Sequence, residues 1–343
     1  MEIPIGMRLS VLMKTPLSPL FSKGYSSLRN LMIPSSLTVL FYHRVGPLPN
    51  DWSLPGVDVA QFERQIEHLA SNYRILGAKE LYDSLQGGSA FPKRSALVTF
   101  DDGYKDNYLN AYPILRKRRI PAIIFLTTGS IENRELLWWD VLGYAASKIR
   151  ADTKREEIVV DVEGEATFRL DEITPLIERL KDVPDSVRRR AIARLMDDHS
   201  IDIPSELVEE NLLTWQEVKE MAEGGIHFGA HTVDHPILTR MPLEEAKEQI
   251  SGSKDRIEKR IGQEVFSFAY PNGYPRDYNT DVSNYLRRTG FKAAFTTRPI
   301  INPAGADPMT IGRIGASNDA RRLDLLLSGF TGDIGKIRSQ HSG

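Results

Sequence analysis

Residues 96–104 read ALVTFDDGY, an apolar run followed at once by two carboxylates and a glycine. The apolar part, Ala96 to Phe100, predicts a buried β-strand. Adjacent carboxylates at a strand end repel each other unless a cation or hydrogen-bond donors lie nearby. Asp101 and Asp102 are therefore the first candidates for a metal site.

A second polar stretch, residues 231–236 (HTVDHP), follows another apolar run, residues 226–230. Two histidines four residues apart can both turn toward one ion. With one aspartate they give the N,N,O ligand set that leaves a catalytic zinc an open position for water. We expect His231 and His235 to meet the aspartate pair in space. The residues alone do not say which aspartate binds the metal and which is free to act as a base.

Composition limits the class of protein. The 343 residues suit one large domain or a domain with an insertion. The formal net charge of −2 gives no basic surface for nucleic acid, which we exclude as the main partner. Because the chain has no cysteine, disulfides and thiolate metal sites are excluded, and histidine or carboxylate side chains must hold any metal.

Predicted strands and helices alternate regularly from Leu37 onward, which is typical of parallel βα units. Strands are predicted over 37–42, 96–100, 122–126, 226–230, 266–270, 292–296 and 309–314. Seven or eight such units favour an α/β fold, a distorted (β/α)7–8 barrel. In such barrels the chemistry lies at the C-terminal ends of the strands. The residues that fall at such ends are His43, Asp101, His231 and Tyr270.

We expect an N-terminal extension over 1–36 and a barrel domain over 37–343. A charged helical insertion is predicted at about 150–212, as a solvated segment with helices over 171–180 and 185–196. The extension shows neither a signal-peptide pattern nor a transmembrane span. We therefore expect a cytoplasmic protein, with weak membrane association through the extension as the alternative.

The two polar stretches resemble motifs of a known family. Residues 99–104 (TFDDGY) and 231–236 (HTVDHP) resemble the first two motifs of the polysaccharide deacetylase (NodB-homology) family, carbohydrate esterase family 4. Residues 41–45 (FYHRV), 138–140 (WWD) and 268–273 (FAYPNG) resemble its branch of poly-N-acetylglucosamine deacetylases. The resemblance covers roughly 37–313 and implies a barrel of the polysaccharide deacetylase type. It also implies metal-dependent removal of an N-acetyl group from an amino sugar in a polysaccharide, an oligosaccharide or its precursor.

The resemblance assigns roles residue by residue. Asp101 is the expected general base, and one divalent ion, zinc first, is expected on Asp102, His231 and His235. The ion and a backbone N–H near Tyr104 would stabilise the oxyanion. Further substrate contacts are expected in the third motif, at Tyr270, Pro271 and Asn272.

The chain departs from the classical family pattern in two places. The classical acid is a histidine late in the chain, but the only histidine after His235 is His341 in the terminal tail. The resemblance of residues 41–45 to the poly-N-acetylglucosamine deacetylase branch implies instead that His43, at the end of the first strand, is the general acid. The classical arginine that orients the base is replaced by Ala269, so Arg313 or Arg44 is expected to take that role.

Two further residues near the histidine motif are expected to have structural rather than catalytic roles. We expect His227 to be a structural residue of the strand and Asp234 to be a turn residue rather than a fourth ligand. Tryptophans 138 and 139 are expected to pack rather than to bind sugar.

Other functions remain open at this stage. The same metal site could serve an O-acetyl esterase or a cyclic-amide hydrolase, because fold and metal do not define the substrate. Because the classical acid and arginine are missing, a carbohydrate-binding barrel without catalytic activity is another possible function.

Overall fold

The computed structural model describes residues 35–47, 56–86, 91–162, 164–171 and 173–329. Apart from its last two residues, the extension expected over 1–36 lies outside the described residues. In the described part of the chain, no helix has the length and apolarity needed to cross a bilayer.

Six of the seven predicted strands lie close to their predicted positions, whereas the seventh, 309–314, is observed only as a short strand at 314–315. Four further short strands, at 74–75, 157–161, 165–169 and 302–303, were not predicted. In chain order, the strands of the described residues are β1 (Ser36–Tyr42), β2 (Arg74–Ile75), β3 (Ser95–Phe100), β4 (Ile123–Leu126), β5 (Glu157–Asp161), β6 (Glu165–Arg169), β7 (His227–Ala230), β8 (Ser267–Ala269), β9 (Ala293–Phe295), β10 (Asn302–Pro303) and β11 (Ile314–Gly315).

Helices connect most of these strands. They are α1 (Val59–Asn72), α2 (Ala78–Gln86), α3 (Tyr112–Arg118), α4 (Thr128–Asn133), α5 (Trp138–Thr153), α6 (Thr174–Lys181), α7 (Asp185–Asp198), α8 (Ser205–Asn211), α9 (Trp215–Glu223), α10 (Leu243–Ile261), α11 (Thr280–Arg288) and α12 (Ala320–Leu327). A π-helical turn (Asn107–Ala111) precedes α3, and a 3₁₀ turn (Leu238–Arg240) precedes α10.

The sheet is parallel and curls into a distorted barrel. Strands β1, β3, β4, β7, β8 and β9 lie side by side in that order, each parallel to the next. The segment 311–315 joins the two edges: Ile311 bridges Phe295 of β9, and Ile314 pairs with Leu40 of β1, both in parallel. These seven parallel segments confirm the predicted distorted (β/α)7–8 barrel.

Successive side chains along each strand point alternately into the barrel and outward, toward the layer under the helices. In β3, Ala96, Val98 and Phe100 pack in one apolar cluster with helix α1. Leu97 belongs to a second cluster with Phe125 and Phe295 of neighbouring strands. Side chains two residues apart point to the same side of a strand. Thr99 and Asp101 therefore point to the same side of β3 as Leu97, toward the barrel interior.

The insertion between β4 and β7 has an apolar core of its own. Helices α6 and α7 confirm the two predicted helices, but strands β5 and β6 form an antiparallel hairpin that was not predicted. The expectation of a merely solvated segment was wrong, because α5 to α8 and the hairpin share a buried cluster. Its members include Leu142, Ile158, Leu176, Leu195 and Val208.

Helix α9 begins with the capping box that Thr214 and Glu217 predict. The Glu217 backbone N–H donates to Thr214 Oγ1 at 3.2 Å, and the Thr214 backbone N–H donates to Glu217 Oε2 at 2.8 Å. This helix leads directly into β7, which carries the histidine motif at its end.

Candidate active site

Three side chains converge at the C-terminal ends of β3 and β7. Asp102 Oδ1 lies 3.5 Å from His231 Nε2 and 3.6 Å from His235 Nε2. The two Nε2 atoms are 3.1 Å apart. All three side chains are buried, and their nearest N and O atoms lie within 4.8 Å of one another. The two motifs, far apart in sequence, therefore meet as one cluster.

The chemistry of this cluster fits a divalent cation. Neither carboxylate oxygen of Asp102 has a hydrogen-bond partner among the described residues, although both are buried. Burial and the neighbouring Asp101 raise the pKa of Asp102. The His231 Nδ1–H donates to the Ala269 carbonyl at 2.7 Å, which leaves Nε2 free to bind an ion. Burial also lowers the pKa of His231 to about 4, so its ring is neutral, as a metal ligand must be.

The loop between the two histidines is held in an uncommon backbone conformation. Thr232 and His235 have φ values of 68° and 54°, in the left-handed region that costs about 1 kcal/mol or more for a residue with a side chain. Gln249 of α10 stabilises this loop. Its Oε1 accepts from the backbone N–H groups of Val233 at 3.1 Å and Asp234 at 2.8 Å, and its Nε2 donates to Asp234 Oδ2 at 2.8 Å.

Replacing Gln249 with alanine is expected to weaken zinc binding about tenfold, because the loop that orients both histidines loses three hydrogen bonds. Competition with a chelator of known affinity measures this change. The control is Glu248→Ala, which alters an exposed neighbour on the same helix. Equal zinc affinity in the two variants would contradict a positioning role for Gln249.

Asp101 is paired with a buried arginine from the last barrel segment. Arg313 Nη1 and Nη2 each donate to one Asp101 oxygen at 2.7 Å, and Nε donates to the Thr296 carbonyl at 3.2 Å. The guanidinium carbon lies 4.6 Å from the Phe41 ring centre. Burial alone would raise the pKa of Asp101, but the charge and hydrogen bonds of Arg313, together with the neighbouring His231 and His43, hold that pKa below its usual value. Asp101 is therefore an ionised carboxylate in a fixed orientation.

Arg44, the other predicted orienting residue, has different partners. Its guanidinium lies 3.7 Å above the Tyr104 ring, Nη2 donates to Asn211 Oδ1 at 2.8 Å, and Nη1 donates to Asp106 Oδ2 at 3.2 Å. Arg313, and not Arg44, therefore forms the ion pair with Asp101. Arg44 instead connects the end of β1 to the end of the insertion.

The Tyr104 side chain is fully buried and does not line the open cleft over the Asp102, His231 and His235 cluster. Its hydroxyl donates to Asp140 Oδ2 at 2.9 Å and accepts from Trp139 Nε1 at 2.8 Å. The Trp139 ring in turn packs edge-on against the His235 ring, with centres 4.6 Å apart. Any contribution of Tyr104 to oxyanion binding is therefore limited to its backbone, as the sequence prediction assumed.

An open cleft of about 550 Å³ lies over the cluster. Its walls include strand ends, the 315–317 segment and parts of α5, α6, α7 and α12. His43 lines the cleft with 42% of its side chain exposed, and its Nε2 lies 4.0 Å from Asp102 Oδ2. A substrate group bound beside the Asp102, His231 and His235 cluster can therefore reach the His43 imidazole.

The third motif contributes two of its three predicted residues to this cleft. Tyr270 and Asn272 line it, whereas Pro271 is not among the lining residues. The Tyr270 hydroxyl donates to the Met309 carbonyl at 3.0 Å, so its side chain is engaged in packing. Asn272 has a φ of 63°, a conformation that asparagine tolerates better than most residues.

Sequence reasoning missed the residues that the insertion adds to the cleft. These are Thr174, Ile177, Glu178, Lys181 and Arg188. Their charged, helical pattern is that of an ordinary exposed face, and nothing in it indicates that the face borders a cleft. His227 lies at the opposite end of β7 from the cluster, where its ring packs 4.8 Å from that of Phe266, in agreement with its structural interpretation.

Comparison with known proteins assigns the family. The polysaccharide deacetylase family model matches residues 88–294, more than half of the chain. The chain belongs to this family, which confirms the resemblance drawn from the motifs.

Sequence relatives have related names, and the matches cover only part of each of them. YxkH of Bacillus subtilis (strain 168), provisionally named a polysaccharide deacetylase, is 23% identical over 267 residues, which cover 78% of this chain and 66% of YxkH. The poly-beta-1,6-N-acetyl-D-glucosamine N-deacetylase of Staphylococcus aureus (strain N315) is 47% identical over 77 residues, 22% of this chain and 26% of that protein. The chain thus spans at most about two thirds of these relatives.

Solved structures share the fold. The Streptococcus pyogenes deacetylase PplD, in complex with acetate, superposes with a TM-score of 0.58 at 22% identity and covers 86% of this chain and 99% of its own. IcaB from Ammonifex degensii gives a TM-score of 0.56 at 22% identity, with 86% and 97% covered. At this identity the likeness establishes the barrel and not the activity.

Proposed function

We propose that the protein is a metal-dependent deacetylase that hydrolyses an N-acetyl group on an amino sugar of a polysaccharide, an oligosaccharide or its precursor. One observation carries this proposal: the Asp102, His231 and His235 cluster lies beside an ionised Asp101 at the base of an open cleft. The Staphylococcus aureus relative, named for N-deacetylation of a glucosamine polymer, supports an amino sugar as substrate.

Each side chain has a defined task in this hydrolysis. Asp102, His231 and His235 would hold zinc, which when bound polarises an acetyl carbonyl and lowers the pKa of water. Asp101, oriented on both oxygens by Arg313, accepts the proton of the attacking water. His43 gives a proton to the sugar nitrogen as the carbon–nitrogen bond breaks. The products are acetate and the free amine.

Acetate release tests the proposal. Zinc-loaded protein is incubated with N-acetylglucosamine oligomers and, separately, with sugars that carry only O-acetyl groups. We expect acetate from the first set. Acetate from the O-acetyl sugars alone would assign an esterase instead. Zinc binding without release from either set would favour a carbohydrate-binding barrel.

Replacing His43 with alanine is expected to lower turnover about a hundredfold, because the leaving amine loses its proton donor. Zinc content should not change, since His43 is outside the proposed ligand set. Turnover number and zinc per chain are measured together, with His68→Ala as a control at an exposed histidine of α1. Unchanged turnover in His43→Ala would exclude it as the acid.

A further inference from the structure

The two histidines of the metal cluster are oriented in different ways. His231 donates from Nδ1 to the Ala269 carbonyl at 2.7 Å, which fixes the direction of its Nε2 atom. His235 has no comparable bond: among the described residues, its ring hydrogen-bonds to no residue other than His231, with 3.1 Å between the two Nε2 atoms. Another contact must therefore hold the His235 ring in place.

The Trp139 indole supplies that contact. The ring centres of Trp139 and His235 are 4.6 Å apart, with an angle of 75° between the ring planes. Edge-to-face packing of this kind is favourable and has a preferred direction. Both residues are buried, so neither ring can turn into solvent. The indole therefore restricts rotation of the His235 ring.

A buried hydrogen bond holds the indole. Trp139 Nε1–H donates to the Tyr104 hydroxyl at 2.8 Å, and that hydroxyl donates to Asp140 Oδ2 at 2.9 Å. Tyr104 follows the aspartate pair on the barrel, whereas Trp139 and Asp140 lie in the first turn of α5. Tyr104 and Trp139 also belong to the apolar cluster of the insertion. The indole is thus fixed between the barrel and the insertion.

Arg44 completes this arrangement from the end of β1. Its guanidinium carbon lies 3.7 Å from the centre of the Tyr104 ring, and its Nη2 lies 3.7 Å from Asp140 Oδ2. Burial raises the pKa of Asp140 to about 6, and the Arg44 charge limits that rise. At neutral pH the carboxylate is therefore ionised and accepts from the Tyr104 hydroxyl, whose oxygen remains free to accept from the indole.

We propose that Trp139 is a positioning residue that orients His235 toward the proposed metal, with Tyr104 holding the indole in place. This inference rests on the proposed function, because it takes His235 to be a metal ligand. It also gives the insertion a second role. Because Trp139 lies in α5, the packed insertion contributes to metal affinity and does not only form a wall of the cleft.

Zinc affinity, measured by chelator competition on folded protein, tests this role. Trp139→Ala is expected to weaken zinc binding about tenfold, because residues that orient a metal ligand typically contribute at least that much. Trp139→Phe keeps an aromatic ring but loses the indole N–H, and it should lose about threefold. Tyr104→Phe removes only the hydroxyl that holds the indole and should also lose about threefold.

The matched control is Leu142→Ala, on the same helix and in the same buried cluster but not in the cleft. It should lower the thermal stability of metal-free protein, as Trp139→Ala should, but leave zinc affinity unchanged. Cobalt-loaded proteins give a second readout, because the visible absorption of Co²⁺ depends on its ligand geometry. The cobalt spectrum should change in Trp139→Ala and match wild type in Leu142→Ala.

Wild-type zinc affinity and an unchanged cobalt spectrum in folded Trp139→Ala protein would overturn the inference. Equal losses of zinc affinity in Trp139→Ala and Leu142→Ala would also overturn it, since that pattern indicates a general weakening of the insertion. If Trp139→Ala does not fold, the two phenylalanine variants decide, and wild-type zinc affinity in both would reject the role. The proposed function fails separately, if zinc-loaded wild-type protein releases no acetate.

Discussion

Replacing Asp101 with asparagine is expected to lower acetate release about a thousandfold while the protein keeps its zinc. The carboxamide cannot accept a proton from water, and it offers Arg313 one acceptor oxygen where the carboxylate offers two. Zinc binding should persist because the proposed ligands are Asp102, His231 and His235. The substitution tests which of the two adjacent aspartates is the base and which is the metal ligand, because the residue types alone do not distinguish them.

Turnover, zinc per chain and thermal unfolding are measured on this variant together. The unfolding measurement is needed because breaking a buried ion pair can cost about 3–5 kcal/mol of stability. Asp255→Asn, at an exposed aspartate of α10, is the matched control and should behave as wild type. Loss of zinc from Asp101→Asn would reverse the roles assigned to the two carboxylates.

Replacing His231 with alanine is expected to remove zinc and activity together. Loss of residues that only orient a metal ligand typically costs about 10–100-fold in metal affinity, so loss of a ligand should cost more. The change also leaves Asp102 facing a cavity, with both of its oxygens still lacking hydrogen-bond partners among the described residues.

The matched control for this variant is a histidine on the same strand. His227→Ala removes a ring at the start of β7, outside the cluster, and should retain zinc. Unfolding of both metal-free proteins shows whether each is folded. Wild-type zinc affinity in folded His231→Ala protein would exclude His231 as a ligand.

The barrel was predictable because its signals are local. Each apolar run, such as residues 96–100, is long enough for one buried strand and ends in polar residues, so the strands and their C-terminal ends can be located by pattern alone. Parallel βα order then brings those ends to one side of the barrel. The convergence of the two motifs follows from these two steps.

Other features depend on packing between distant residues. Arg313 reaches Asp101 across 212 positions of sequence, and Arg44 was an equal candidate until its partners Asn211 and Asp106 were located. The residues alone also left open which carboxylate is the base, and only the family resemblance assigned it. In the structure, Asp101 contacts Arg313, whereas Asp102 lies beside the two histidines.

The insertion was the least predictable region. Helices α6 and α7 were predicted, but α8 was not. The hairpin β5–β6 and the apolar cluster under it depend on how these helices pack against each other. Glu178 and Lys181 resemble an ordinary solvated pair one turn apart, and only the fold places them in the wall of the cleft.

The central claim is that one ion, held by side chains from both motifs, is required for acetate release. Equilibrium zinc titration of wild-type, Asp101→Asn and His231→Ala proteins, with acetate release measured on the same samples, tests it most directly. We predict one ion per chain in the first two proteins, none in the third, and acetate from wild type alone. Acetate release by zinc-free protein, or undiminished zinc binding by His231→Ala, would contradict it.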